Sequence, residues 1–352
     1  MLSRIGTALR DESTNVRGWV FGIYVFLIVA NLLAWAWALI AFRGYPVLLG
    51  TGLLAYSFGL RHAVDADHIA AIDNVTRKLM QEGKRPIAVG FYFSLGHSTI
   101  VIFASVAIAL TATAFKNHID AFREVGGVVG TLVSALFLFA IAFANMFVLL
   151  RVYQTFERVR QGDPVVEDDL STLLSQRGVL GRLFRPVYRL ISRSWHMYPL
   201  GFLFGLGFDT ATEIGLLGIS AVQASKGLPI WSILVFPALF TAGMALIDTT
   251  DGVLMVAAYG WAFVKPLRKL YYNLTITAVS VLVALLVGGI EFLGLIADKL
   301  QLVGGFWSAV TALNDNFGDL GYVIVGVFVV SWLISVLVYR LMGYDATDVL
   351  QS

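Results

Sequence analysis

Residues 19–42 read WVFGIYVFLIVANLLAWAWALIAF, a run without one charged side chain. A helix of this length crosses the hydrocarbon core of a bilayer, which takes about 20 mostly apolar residues. Seven further runs, bounded by charge, glycine or proline, are also long enough and mostly apolar. Together the eight runs cover residues 19–42, 46–72, 86–114, 125–151, 198–223, 229–263, 271–297 and 320–342. The sequence therefore predicts an all-α integral membrane protein with a bundle of eight transmembrane helices.

The composition of the whole chain agrees with a protein that lies in a lipid bilayer. Hydrophobic residues make up 58% and charged residues 14% of the 352 positions, against roughly 45–50% and 25% in water-soluble domains. The formal net charge of +2 leaves no strong basic surface, which excludes nucleic acid as a partner. Cysteine is absent, so any metal ligands must be nitrogen or oxygen atoms.

Lysine and arginine are distributed unevenly between the two sides that the eight spans define. The side of the N-terminus collects 19 of the 25 basic residues, Arg77 and Lys78 among them; the other side has five, and Arg61 lies within a span. Basic residues accumulate on the cytoplasmic side of membrane proteins. We therefore predict a cytoplasmic N-terminus at residues 1–18 and a cytoplasmic C-terminus at residues 343–352.

A polar connection at residues 152–197 divides the chain. We predict that it is cytoplasmic and separates transmembrane helices 1–4, at residues 19–151, from helices 5–8, at residues 198–342. The bundle can then consist of two four-helix halves, as in transporters built from repeated units. Glu291 lies near the end of the seventh run, where we expect its carboxylate to reach the membrane interface.

Six carboxylates fall inside the predicted spans, where charges are costly. They are Asp65, Asp67, Asp209, Glu213, Asp248 and Asp251. At about 3 kcal/mol each, leaving them unpaired would cost on the order of 18 kcal/mol, more than the roughly 5–15 kcal/mol of net stability of a typical domain. Arg61 and protonation can neutralise some of them, and a bound divalent cation would compensate several at once.

The densest group of ionisable residues reads RHAVDADHIAAIDN, from position 61 to position 74. On a regular helix, at about 100° per residue, His62, Asp65 and His68 share an arc of about 120°. Arg61 lies within that arc, whereas Asp67 faces elsewhere unless the helix is irregular there. Imidazole and carboxylate ligands suit Ni²⁺, Co²⁺ or Zn²⁺ better than Mg²⁺ or Ca²⁺. The alternative is a proton relay or an ion-pair network without metal.

A third histidine lies in the next predicted span. His97 stands beside Ser98 and Thr99 in the sequence LGHST. A single histidine in such a place is more often a hydrogen-bonded packing residue. The pair His62 and His68 in the preceding span favours His97 as a third imidazole ligand.

Two further spans carry paired carboxylates at helical spacing. Asp209 and Glu213 are four residues apart, with Thr210 between them, and Asp248 and Asp251 are three residues apart. Residues with these spacings point to one side of a helix. They either support a metal path or form a polar seam that joins helices.

Four motifs, in order along the chain, resemble those of the nickel/cobalt transporter (NiCoT) family. They read RHAVDADHI at residues 61–69, FSLGHSTIV at 93–101, LGFDTATE at 206–213 and GMALIDTTDG at 243–252. The resemblance covers nearly the whole chain and implies an eight-span secondary permease for Ni²⁺ and Co²⁺. It also implies that His62, Asp67 and His68 are needed for metal recognition or transport, so it favours Asp67 where the helical wheel favours Asp65. Val64 within the first motif resembles the nickel-selective members.

The two lines of reasoning together give a set of candidate residues. The candidate metal ligands are His62, Asp65, Asp67, His68 and His97. The candidate supporting residues of the transport path are Arg61, Ser98, Thr99, Asp209, Thr210, Glu213, Asp248 and Asp251.

The function that the resemblance implies is high-affinity uptake of Ni²⁺ through the cytoplasmic membrane, with Co²⁺ as a second candidate substrate. The ion is the substrate, and we expect no catalytic residue and no cofactor. The chain lacks the Walker A pattern GxxxxGK[ST], so it is not itself an ATPase, and we expect no obligatory ATPase subunit. The alternatives are a divalent-metal exporter or sensor, and an intramembrane metalloenzyme, which the missing HExxH motif disfavours.

Overall fold

The computed structural model describes residues 16–111, 116–160, 191–206, 211–262 and 266–341. These residues are almost entirely helical, and no strand occurs among them. Nearly all of the predicted terminal segments and most of the 152–197 connection lie outside the described residues, as do Asp209 and Thr210.

Twelve α-helices, numbered here in chain order, make up the described ranges. They are α1 Val16–Ala41, α2 Pro46–His62, α3 Ala66–Gln81, α4 Val89–Thr111, α5 Lys116–Arg160, α6 Met197–Phe204, α7 Ala211–Ser225, α8 Ile230–Ile233, α9 Val235–Ala262, α10 Pro266–Lys299, α11 Gly305–Asp315 and α12 Phe317–Leu341. A single 3-10 turn, Ser194–His196, precedes α6.

Five helical stretches in the described ranges are long and apolar enough to cross a membrane. They are α1, α4, α5, α8 together with α9, and α10. Two bent pairs, α2 with α3 at 49° and α11 with α12 at 82°, raise the number to seven if each pair is one span. The fifth predicted span corresponds to the short helices α6 and α7. The described chain is therefore an all-helical, multi-pass membrane protein with five to seven candidate spans.

The second predicted span is not one continuous helix. α2 ends at His62 and α3 begins at Ala66, with Asp65 in an extended conformation (φ −62°, ψ 148°) just before α3. Aspartate favours this N-cap position, but its carboxylate contacts Nδ1 of His62 at 2.7 Å and makes no cap hydrogen bond. The helical wheel assumed one regular helix, and that assumption is wrong at this point. The alternative, that the helix is locally irregular near Asp67, is the one observed.

α3 continues to Gln81, beyond the predicted end of the span. Arg77 and Lys78 lie on it and are only 1% and 2% exposed. Arg77 Nη2 donates to Oδ1 of Asn74 at 2.8 Å, and Lys78 Nζ donates to the carbonyl of Ile191. Both cations therefore have polar partners inside the described bundle, which the hydropathy of the sequence does not reveal.

α9 lies at the centre of the described bundle and packs against α1, α2, α3 and α4. Its fully buried Phe236, Leu239 and Phe240 belong to one apolar cluster with Ala38 of α1 and Ala55 of α2. Small residues on the outer helices let their backbones approach the bulky face of α9. This packing holds α2, α3 and α4 around a common interior.

α4 and α6 cross at two glycines. A Cβ atom on Gly96 would lie 1.9 Å from the carbonyl oxygen of Tyr198, and one on Gly201 would lie 2.0 Å from that of Phe93. Only glycine fits at both places, as in other close helix crossings in membranes. His97 follows Gly96 directly, so this crossing fixes the backbone that carries the third histidine.

α5 packs along α10, where Glu291 is buried. The hydroxyl oxygen of Ser134 on α5 lies 2.8 Å from each carboxylate oxygen of Glu291 and donates to the carboxylate. The prediction that Glu291 reaches the membrane interface is therefore wrong. The neighbouring helix supplies the polar partner that the sequence position does not reveal.

Candidate metal centre

Three imidazole rings meet in the interior of the bundle. His62 ends α2, His68 lies in the first turn of α3, and His97 is on α4. One nitrogen of each ring lies within 4.8 Å of a nitrogen of the other two. All three residues are at most 2% exposed. The sequence-predicted histidines thus form one compact group of nitrogen ligands.

The break between α2 and α3 brings the first two rings together. In an unbroken helix, His62 and His68 would be separated by about 9 Å along the axis and by about 120° around it. In the structure the two helices are bent by 49° at the break. The centroids of the two rings lie 4.7 Å apart as a result.

Two of the nitrogens have the separation of two ligands of one ion. Nε2 of His62 and Nε2 of His97 are 2.9 Å apart. Two nitrogens that bind one ion at about 2.1 Å each, at right angles, are about 3 Å apart. Nδ1 of His62 contacts Asp65, and Nε2 faces Nε2 of His97.

A buried carboxylate accompanies each of the three histidines. The pairs are Asp65 Oδ2 with His62 Nδ1 at 2.7 Å, Glu213 Oε1 with His97 Nε2 at 2.8 Å, and Asp248 Oδ1 with His68 Nδ1 at 3.1 Å. The carboxylates against Nδ1 of His62 and of His68 orient these rings and make their Nε2 atoms stronger metal ligands. Glu213 instead contacts the same nitrogen of His97 that lies beside His62. The same carboxylates supply negative charge to balance a divalent cation.

Several polar atoms at the centre have no hydrogen-bond partner among the described residues. They are Nε2 of His68, Nδ1 of His97, Oδ1 of Asp67 and Oδ2 of Asp248. Each unsatisfied buried polar atom costs about 1–3 kcal/mol. A divalent cation that accepts both nitrogen and oxygen ligands would satisfy several of them at once.

Asp65 and Asp67 occupy different places around the histidines. Asp65 contacts His62 directly. Asp67 lies in the first turn of α3, within electrostatic range of His97. Because the helix break turns α3 relative to α2, Asp67 lies near the histidines as well, and both carboxylates belong to the surroundings of the centre.

Of the two hydroxyl residues beside His97, only Ser98 is buried. Ser98 is 2% exposed, and its hydroxyl has no hydrogen-bond partner in the described part of the chain. The Thr99 hydroxyl donates to the carbonyl of Leu95 at 2.7 Å and lies 3.0 Å from the hydroxyl of Tyr198. Thr99 therefore serves the contact between α4 and α6.

Arg61 lies apart from the histidines. Its half-exposed side chain is 3.7 Å from Asp319 of α12. Asp251 follows Asp248 by one turn of α9, and its Oδ2 has no partner among the described residues. Asp209 and Thr210 lie outside the described residues. Of the candidate residues in the motif LGFDTATE, the described structure therefore places Glu213 at the centre.

Two aromatic rings complete the walls of the centre. The ring centroid of Phe93 lies 4.8 Å from that of His68, nearly perpendicular to it, and the ring of Phe240 lies 5.6 Å from His62. Phe93 precedes His97 by one helical turn, a spacing that could have indicated its proximity. No sequence signal points to Phe240, which comes from a distant helix.

A bundle of apolar helices that buries three imidazoles and their carboxylates defines a multi-pass membrane protein whose interior could hold a metal ion. The family model NicO, described as high-affinity nickel-transport protein, matches residues 48–338. The chain belongs to this family. The resemblance to nickel transporters that the four motifs indicate is thereby confirmed.

Named transport proteins of other organisms align with most of the chain. It is 64% identical over 342 residues to a high-affinity nickel transport protein of Cupriavidus necator, covering 97% of each chain. It is 44% identical over 319 residues to the high-affinity nickel-transport protein NixA of Helicobacter pylori, covering 90% of this chain and 96% of the relative. It is 41% identical over 288 residues to the cobalt transport protein NhlF of Rhodococcus rhodochrous, covering 81% of each. No solved structure matches the chain.

Proposed function

We propose that the protein takes up Ni²⁺ across the cytoplasmic membrane as a high-affinity secondary permease, with Co²⁺ as a second substrate. The observation that carries this proposal is the buried group of His62, His68 and His97. The choice of ions is supported by relatives named as nickel and cobalt transport proteins. The ion is the substrate, and neither a catalytic residue nor a cofactor takes part.

In this proposal the imidazole nitrogens replace water molecules in the shell of the ion. The carboxylates of Asp65 and Glu213, each against a ring nitrogen, balance the two positive charges. Imidazole ligands favour Ni²⁺ and Co²⁺ over Mg²⁺ and Ca²⁺. The centre therefore selects the transported ion by the type of its ligands. Because the centre is buried, an ion bound there is separated from bulk water.

Transport requires the centre to open to each side of the membrane in turn. The broken α2–α3 span supports such a cycle, because two short helices that meet at the ion can tilt separately, as broken helices do at other transporter sites. Entry of a dication down a potential of about 100 mV is favourable by about 2 × 2.3 kcal/mol. The membrane potential is therefore sufficient to drive uptake without an ATPase subunit.

We also infer eight spans with both termini in the cytoplasm. Seven candidates are counted when each bent pair is one span, and the apolar α6 and α7 together would make the eighth. The excess of 19 basic residues over five supports this orientation, with the 152–197 connection on the cytoplasmic side.

Uptake of radioactive nickel by cells that express the protein tests the proposal. We expect His62→Ala to abolish accumulation because it removes a ligand and leaves Asp65 without its partner. His196→Ala is the matched control, since Nδ1 of His196 accepts a bond from the backbone N–H of Ser192 outside the centre. Undiminished uptake by His62→Ala at equal expression would contradict the proposal.

The metal content of cells distinguishes import from the other functions. Cells without the gene should contain less nickel if the protein imports it and more if it exports it. If cells with and without the gene contain the same amount of metal but differ in the expression of other genes, the protein is a sensor. Adding cobalt or zinc as a competitor ranks the ions by their effect on nickel uptake.

A further inference from the structure

A second group of acidic side chains lies along α3 and α9, beyond the histidine centre. On α3, Asp73 follows His68 by five residues, or about 7.5 Å along the helix axis. On α9, Asp251 follows Asp248 by three residues, or about 4.5 Å. Asp251 lies within electrostatic range of both Asp248 and Asp73. Acidic groups therefore continue from the centre along the interface of these two packed helices.

Asp73 is fully buried, and two hydroxyl groups are its polar neighbours. The hydroxyl of Tyr259 on α9 donates to Oδ1, and the hydroxyl of Ser280 on α10 lies beside the same carboxylate. Oδ2 of Asp73 and Oδ2 of Asp251 have no hydrogen-bond partner by geometry within the described ranges. Two ionised carboxylates on packed helices are unfavourable unless a proton or a cation neutralises them.

An internal cation, Arg77, lies near Asp73 without binding it. Arg77 is 1% exposed and within electrostatic range of Asp73. Its Nη2 donates to Oδ1 of Asn74, which also accepts from Nδ2 of Asn145, while its Nε and Nη1 have no acceptor among the described residues. A buried guanidinium usually binds a carboxylate through two N–H groups. Asn74 thus binds Arg77 beside Asp73, and Asn145 holds Asn74 in place.

We propose that Asp73 and Asp251 form a second, oxygen-only site for the transported dication, which the ion reaches from the histidine centre by way of Asp248. This inference rests on the proposed function. Carboxylate oxygen is a less suitable ligand for Ni²⁺ than imidazole, so the ion leaves this site more readily than the centre. When the ion leaves, the guanidinium of Arg77 neutralises Asp73 and opposes the return of the ion.

Mn²⁺ is the probe that separates the two sites, because it prefers carboxylate and water oxygens. Electron paramagnetic resonance counts free Mn²⁺ during titration of the purified full-length protein in detergent. We expect Asp73→Asn and Asp251→Asn each to weaken Mn²⁺ binding by roughly tenfold or more, and His62→Ala to retain it. Both Asn variants keep the size of the side chain, and Glu291→Gln is the control for removing a buried carboxylate elsewhere.

The inference is overturned if the wild type binds no Mn²⁺, if both Asn variants bind it unchanged, or if His62→Ala loses it. Equilibrium binding of radioactive Ni²⁺ gives the second readout: about two ions per chain in the wild type and about one in Asp73→Asn, the tighter ion being retained. If His62→Ala still binds one Ni²⁺ ion tightly, the proposed histidine centre is contradicted. The second site is not affected by that result, because the Mn²⁺ titration tests it separately.

Arg77→Gln tests the role of the internal cation. With its competitor removed, the second site should bind Mn²⁺ roughly tenfold more tightly, and release of Ni²⁺ into proteoliposomes should slow. Arg77→Lys keeps the charge and is the matched control, for which we expect affinity close to that of the wild type. Unchanged or weaker Mn²⁺ binding by monodisperse Arg77→Gln overturns this role.

Discussion

The carboxylate of Asp65 lies against one of the two nitrogens of His62. Its Oδ2 lies 2.7 Å from Nδ1 of that ring, which leaves Nε2 beside Nε2 of His97. A carboxylate in this position fixes the tautomer of the ring and strengthens the opposite nitrogen as a ligand. The two residues are only three apart, and they meet in this way where the chain leaves the helical path between α2 and α3.

Asp65→Asn should therefore weaken Ni²⁺ binding by roughly 10- to 100-fold, the usual effect of changing a residue that orients a metal ligand. Asparagine keeps the size and can still contact His62, so the loss reports the charge. Asp319→Asn is the matched control, because Asp319 is exposed and its 3.7 Å pair with Arg61 is of the weak surface type. Equal affinities of the two variants, measured by equilibrium Ni²⁺ binding, would contradict this role of Asp65.

Glu213 and Thr99 are both candidate supporting residues, but the structure gives them different surroundings. Glu213 is 1% exposed and lies 2.8 Å from Nε2 of His97, whereas the hydroxyl of Thr99 contacts Leu95 and Tyr198. We expect Glu213→Gln to lower nickel uptake roughly tenfold or more and Thr99→Val to retain it. Nickel uptake at matched expression checks both, and the opposite ranking would show that the site is misassigned.

Among the helices, α12 supports the break between α2 and α3 from outside. A Cβ atom on Gly321 would lie 1.6 Å from the carbonyl oxygen of Val64, so the two backbones are in direct contact. The bend that brings His62 and His68 together is therefore a property of three helices, not of the α2–α3 sequence alone.

Gly321→Ala should lower both stability and nickel uptake, because the added methyl group must displace α12 or the carbonyl of Val64. Overpacking of this kind typically costs about 1–3 kcal/mol. Gly326→Ala, on the same helix, is the matched control, since a Cβ atom there meets nothing within 4 Å. Thermal unfolding in detergent and nickel uptake are the measurements, and equal behaviour of the two variants would contradict the support by α12.

Hydropathy predicts apolar stretches well because a bilayer imposes one length on them, and it says little about where they bend. Asp65 carries a helix-start signal, but a span that is assumed to be continuous hides it. Glu291 is misplaced for a related reason: its partner Ser134, on α5, becomes its neighbour only in the bundle. The approach of His97 to His62 likewise depends on packing of α4, and the sequence indicates it only through the histidine pair of the preceding span and the family motifs.

For the whole molecule, the absence of cysteine makes orientation directly measurable. Arg43 and Arg85 are both exposed and lie on opposite predicted sides of the membrane. We expect Arg43→Cys to react with a membrane-impermeant maleimide in intact cells, and Arg85→Cys to react only after the cells are permeabilised. The cysteine-free wild type is the control for background labelling. The reverse pattern would contradict cytoplasmic termini.

X-ray absorption spectroscopy of Ni²⁺ bound to the purified protein shows most directly whether the buried imidazoles hold the transported ion. His62 and His97 present their Nε2 atoms 2.9 Å apart, with His68 beside them. We predict a shell of nitrogen and oxygen ligands with the outer scattering of two or more imidazole rings, lost when His62→Ala and His97→Ala are combined. A shell of oxygen atoms alone, unchanged in that double variant, would contradict the imidazole centre.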